Sequence, residues 1–212
     1  VNIQKIKKKK IRNFQNKLYE IPKYSKKILF NEADLFCKWY VPKFTNKDLK
    51  KKIRIEVRFL LTKIKMKNKF FVHRDFHVSN LIKFGKNIAI IDSQDALIGN
   101  KAYDLASLID DVRFKTSNKL KKSLYDYYLK INQNIFDKDS FKNDFEILSI
   151  LRNLKIIGIF TRLAIRDKKK KYLKLIPYAW RLIELRLNDN LKFNRFKNLL
   201  DANFSKKIRM KK

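Results

Sequence analysis

Apolar residues recur every three or four positions along most of this chain, and the interval changes once, between residues 70 and 102. Before that break the spacing predicts three helices. Residues 2–19 carry Ile3, Ile6, Ile11, Phe14 and Leu18 among lysines, a basic amphipathic lead-in. Residues 25–40 place Ile28, Leu29, Ala33, Phe36, Cys37 and Tyr40 on one side, and Pro42 ends the run. Asn46 is expected to cap a longer helix through Leu49, Ile53, Val57, Leu60, Leu61 and Ile64. Within the break, Phe70-Phe71-Val72 reads as a short strand. Leu81 to Phe84, Gly85, then Asn87 to Asp92 reads as a tight hairpin. Helical spacing resumes over about 103–114, 117–133, 139–166, 170–188 and 191–203, with Asp104, Ser117 and Asp139 as expected caps. The pattern is that of an α+β protein, mostly helical, with one small β patch. It divides into a lead-in over 1–23, a domain over 24–203 and a basic tail over 204–212.

Composition narrows the class. The 212 residues are 45% hydrophobic, with 17 Phe and nine Tyr, enough for a well-buried core. No apolar run approaches the roughly 18 residues a membrane span requires, and no apolar segment follows the N-terminal lysines as in a signal peptide. Cys37 is the single cysteine, which excludes an internal disulfide and fits a reducing, cytoplasmic setting. Its neighbours Phe36 and Trp39 point to a buried structural thiol. The net charge is +33, from 41 Lys and 12 Arg against 20 acids. Such a charge favours anionic partners. The lysines are spread along the whole chain, however, and clustered arginines are few. A solvated basic surface is therefore the expectation, rather than specific nucleic-acid binding.

The chemistry concentrates in one loop. "HRDFHVSN", residues 73–80, holds both histidines, an arginine, an aspartate and an asparagine beside the strand at 70–72. Asp92 follows the hairpin, twelve residues after Asn80, where the turn can bring it back. Oxygen ligands of the Asn and Asp type suit Mg²⁺, with phosphates and waters completing the shell. A further carboxylate free of the metal can accept a proton from an attacking hydroxyl. Metal, positioned base and little covalent chemistry are what phosphoryl transfer needs. With no other cysteine or third histidine to complete a zinc site, His77 is expected to pack rather than ligate.

Taken whole, His-x-Asp-x-x-x-x-Asn followed by a two-strand gap and Ile-Asp resembles the catalytic loop of the aminoglycoside phosphotransferase and choline kinase superfamily. "IAIIDSQDALIGNKAYDLASLIDD", 88–111, resembles that group's metal-binding segment and following helix. "NEADLFCKWYVP" at 31–42 and "RNLKIIGIFTRLAIRDKKKKYLKLIPYAW" at 152–180 look like bacterial cell-wall amino-sugar kinases. The likeness covers roughly 24–202. It implies a protein-kinase-like C-terminal lobe that uses ATP and Mg²⁺ to phosphorylate a hydroxyl of a small molecule. It implies Asp75 as catalytic base, Asn80 and Asp92 as metal ligands, and His73 as a brace onto backbone near Asp92. It implies that Asp104 caps its helix and ties the loop to it. Asp95, Arg162 and Arg166 are substrate-side candidates, the two arginines sharing a helical face.

Two features depart from the family. Ser93 stands where an aromatic usually follows the metal-binding Asp. Glycines occur only at 85, 99 and 158, so no Gly-rich nucleotide-covering loop is present, and the residues before the first matching helix leave no room for a strand lysine. The expectation is a large lobe without its N-terminal ATP lobe. Three readings stay open: a fragment of a longer kinase, a lobe completed in trans by a partner chain, or a non-catalytic basic binding module.

Overall fold

The computed structural model describes residues 3–7, 9–43, 47–132, 137–188 and 190–210, with the side chains of Lys43 and Lys47 not described. In chain order its elements are β1 (Lys10–Arg12), β2 (Leu18–Glu20), α1 (Lys26–Ala33), α2 (Lys47–Thr62) and β3 (Phe70–Val72). Then come β4 (Leu81–Phe84), β5 (Asn87–Ile90), β6 (Leu97–Gly99), α3 (Ala102–Ile109) and α4 (Asn118–Lys130). The long α5 (Lys138–Ile165), α6 (Ile176–Asn188), α7 (Asn194–Asn203) and the one-turn α8 (Lys206–Arg209) complete the chain. The fold is mostly helical with small antiparallel sheets, as the spacing predicts. Among the described residues no helix is long and apolar enough to cross a membrane.

The chain forms two compact units. The first comprises 1–25 and 65–145, the second 26–64 and 146–212.

In the first unit β3 pairs antiparallel with β6, Phe70 opposite Gly99 and Val72 opposite Leu97. The extended segment at Pro22–Tyr24 runs along β6, with Ile98 N donating to Pro22 O and Tyr24 N to Ile98 O, both at 2.8 Å. This close approach explains Gly99. A Cβ there would sit 2.9 Å from Val72 Cγ2 and 3.1 Å from Tyr24 Cβ. Asp144, fully buried, gathers the unit's polar ends: its carboxylate accepts from the Lys65 and Met66 backbone N–H groups and from Asn100 Nδ2. Buried donors thus find an acceptor where no ladder reaches them.

The second unit is built on aromatic packing. Phe36, Tyr40, Trp180 and Phe204 cluster with ring centroids 5.1–5.9 Å apart. Cys37 is buried beside them, as expected of a structural thiol. A π-helical turn at Phe36–Tyr40 continues α1, so the helix predicted over 25–40 is present in two conformations. Its backbone touches α5 at Gly158, where a Cβ would lie 2.3 Å from Leu35 C.

Three expectations are corrected. The described residues of 2–19 form not a helix but a 3₁₀ turn and the β1–β2 hairpin. Asn13 Oδ1 accepts from Gln15 N and Lys17 N, and Asn16 adopts φ 60°, so the Asx turn closes a hairpin. Of the apolar positions read as a stripe, Ile6, Ile11, Phe14 and Leu18 stay exposed and Ile3 is half-buried. Asp139 does not cap α5. Asp137 does, accepting from Asp139 N and Ser140 Oγ. Asp104 caps nothing either, since Lys101 occupies the N-cap position of α3. At the C-terminal end the described residues run to Met210 and include the one-turn α8. Phe204 and Arg209 are buried, and Arg209 is clamped by Glu184 and Asp201 over the Trp180 ring. Ser117 caps α4 as predicted, accepting from Leu120 N. The predicted Asn46 cap and the end of the 117–133 helix lie outside the described residues.

Candidate active site

The loop at 73–80 leaves the end of β3 and is held from three directions, all within the first unit. Asp104, buried in the first turn of α3, accepts from the His73 and Arg74 backbone N–H groups at 2.8 and 3.0 Å. Two parallel bonds to one ionised carboxylate are shorter and stronger than neutral ones. The fully buried His73 donates from Nε2 to Ile91 O at 2.9 Å, one residue before Asp92. That bond fixes the tautomer with the proton on Nε2. Asp111, also buried, accepts from Val78 N at 3.2 Å.

The loop then closes on itself. Asp75 O accepts from His77 N at 3.0 Å and from Asn80 Nδ2 at 2.9 Å. Asn80 O accepts from Ile91 N, extending the β4–β5 ladder by one bond. Asn80 is therefore fixed through its carbonyl and through one N–H of its amide, and its Oδ1 accepts no hydrogen bond among the described residues. The Asp75 carboxylate is half-buried and has no hydrogen-bond partner among the described residues. Asp92 is exposed, with Gln94 Nε2 on its Oδ1 at 2.8 Å.

Two of the four described non-glycine residues with positive φ fall in this site, the others being Asn16 and Lys168. Arg74 and Asp92 have φ of 77° and 69°. Left-handed geometry is uncommon for residues other than glycine and clusters at functional sites. Arg74 also lies 5.9 Å over the Tyr24 ring.

The pair Asn80 and Asp92 fits a magnesium ion in donor chemistry: one amide oxygen and one carboxylate, both hard ligands. Among the described residues no cluster of three or more His, Cys, Asp or Glu could hold a metal. Two protein ligands suit an ion that takes the rest of its shell from substrate phosphates and water.

The remaining candidates are less engaged. His77 is buried in the loop and belongs to its turn, as expected for packing. Asp95 is exposed, and its carbonyl lies 3.5 Å from Arg74 Nη1. Arg162 and Arg166 lie in the second unit. Arg166 is exposed and forks onto Asp167 at 2.6 and 3.0 Å, while Arg162 Nε is buried without a hydrogen-bond partner among the described residues. Sequence reasoning gave no role to Asp111. The signal was an acidic pair, Asp110-Asp111, closing an apolar helix.

Residues 23–142 match the phosphotransferase enzyme family, and this chain belongs to it. Among curated proteins, it is similar to the N-acetylmuramate/N-acetylglucosamine kinase of Neisseria meningitidis serogroup B, with 34% identity over 169 residues. That alignment covers 74% of this chain and 50% of the relative. The enzymes of the same name from Caulobacter vibrioides and Pseudomonas putida are 28% and 30% identical, covering 81% and 74% of this chain and 49% of each relative. The chain spans about half the length of the curated relatives it matches.

Proposed function

We propose that this chain is the catalytic C-terminal lobe of an ATP-dependent kinase that phosphorylates a hydroxyl of a small molecule of the amino-sugar class. The observation that carries this reading is the tie from Asp104 and His73 that holds Asp75, Asn80 and the Asp92 segment in one unit. The names of the relatives support the amino-sugar class. In this reading the complete enzyme also needs an N-terminal ATP lobe, in the same chain or in trans, and works in the cytoplasm.

Asp75 acts as the base. Its carboxylate has no competing partner, so it is free to accept the substrate hydroxyl proton as the oxygen attacks the γ-phosphorus. Asn80 and Asp92 would hold Mg²⁺, and the chemistry it would supply there is neutralisation of charge on the phosphates. His73 keeps the Asp92 segment in register with the loop. Asp104 holds the turn that Arg74's left-handed φ creates.

Calorimetry of ATP binding in the presence of Mg²⁺, on this chain and on Asp92→Ala, is the first test. Binding that disappears in the variant supports the assignment. With turnover on N-acetylglucosamine or N-acetylmuramate established, Asp75→Ala is expected to lower kcat by about 10²–10⁴. Undiminished turnover in Asp75→Ala excludes the base.

A further inference from the structure

The β3–β6 ribbon has two ends. One, at Val72 and Leu97, leads into the catalytic loop. The other, at Phe70 and Gly99, opens on a cavity of about 570 Å³ that phosphoryl transfer does not use. Five lysines line it: Lys5, Lys7, Lys9, Lys69 and Lys101. No acidic residue is among its described lining residues.

The floor is built, not incidental. Lys101 is 3% exposed, and its ammonium donates to Asn132 Oδ1 at 2.7 Å. Asn132, equally buried, is oriented by donating from Nδ2 to Tyr128 O. Gln4 locks the backbone above it, donating to Lys101 O while Oε1 accepts from Tyr128 Oη at 2.6 Å. The Phe70 and Tyr128 rings flank the ammonium at 5.2 and 5.8 Å. Burial pushes the Lys101 ammonium down from its ordinary range. Lys5, Lys7, Lys9 and Lys69 are exposed and form the rim.

Five like charges around one cavity repel one another, and a bound polyanion removes that repulsion. Lysine serves as a point-charge binder of phosphate. We propose that this cavity binds a phosphate-bearing polyanion of about the size of a triphosphate chain, at a site separate from the catalytic loop.

The test is calorimetric titration with tripolyphosphate, at about 0.1 M salt and with a chelator excluding Mg²⁺. The double variant Lys7→Gln/Lys69→Gln removes two exposed rim charges. Lys168→Gln/Lys170→Gln removes the same charge from another surface segment. Rim substitution is expected to weaken binding about tenfold, equivalent to 1.4 kcal/mol, and the control pair to change it little. Asp92→Ala is expected to leave this magnesium-free binding unchanged. ATP in place of tripolyphosphate separates the sources. Equal affinity with the same lysine dependence assigns the phosphate chain alone, and tighter ATP binding assigns a nucleotide. Equal weakening by both lysine pairs overturns the proposal in favour of a diffuse basic surface. So does absence of binding, or a loss seen only in Asp92→Ala.

Discussion

Asp104 shows how much one side chain can organise. Its two oxygens satisfy two consecutive backbone donors in a turn where Arg74 is left-handed. Asp104→Ala leaves both N–H groups buried without an acceptor, at a cost of about 2–4 kcal/mol. The expected result is a lower denaturation midpoint together with faster hydrogen exchange at His73 and Arg74. Unchanged protection of those two amides would count against the tie. Cys37 gives a pH-dependent counterpart in the second unit. Burial, and then the negative charge of Asp34, pushes its thiol up to about 12 from 9.0. The folded chain therefore holds the proton more tightly than the unfolded one. The associated stability is present below pH 9.0 and is lost as pH rises toward about 12. At pH 8 the folded thiolate fraction is lower than the unfolded by roughly a thousandfold. Alkylation by iodoacetamide is expected to be slow in buffer and fast in denaturant. Rapid labelling of the folded chain would contradict the burial.

At the scale of elements, Gly158 separates propensity from packing. In an exposed helix, Gly→Ala stabilises by about 1 kcal/mol. In α5 the new methyl would meet the Leu35 carbonyl carbon at 2.3 Å and Phe36 N at 2.6 Å. Gly158→Ala is therefore expected to destabilise by about 1–3 kcal/mol, a reversal of sign readable in urea denaturation. Helix α2 was legible because it has a continuous apolar stripe, α5 because its apolar content runs over a length no strand reaches although 143–154 are buried on all sides, and the β4–β5 hairpin because Gly85 marks its turn. The helix predicted over 103–114 stops at Ile109 because Asp111 turns its carboxylate onto Arg113 N and Val78 N. β6 gave no periodic signal: three residues, all buried, are too short to show alternation. The lead-in misled for the opposite reason, since an apolar interval without a core to face does not make a helix. The loop 73–80 could be read as a unit because it holds both histidines of the chain beside Asp75 and Asn80. Its supports, Asp104 and Asp111, act through backbone atoms that sequence spacing does not reveal.

At the scale of the molecule, charge decides the sign of the salt response. Buried or half-buried acids form pairs such as Asp34 with Arg54, Glu32 with Lys155, and Asp110 with Lys121. With 53 basic residues against 20 acidic ones, a one-to-one pairing leaves a surplus of 33 positive charges. Exposed pairs contribute little individually, whereas a net charge far from zero destabilises the compact state by self-repulsion. Salt screens both, with a Debye length of about 10 Å at 0.1 M. Repulsion summed over +33 should dominate the handful of attractive pairs. Raising NaCl from low to moderate concentration is thus expected to stabilise the fold by about 1 kcal/mol, or roughly 2–4 °C in Tm. A Tm that falls with NaCl would mean that the ion pairs, not the surplus lysines, control stability. Because chloride screens without filling a site, tripolyphosphate at matched ionic strength should raise Tm further only if the Lys101 cavity captures it. The Lys7→Gln/Lys69→Gln variant should then keep the chloride response and lose the additional increment.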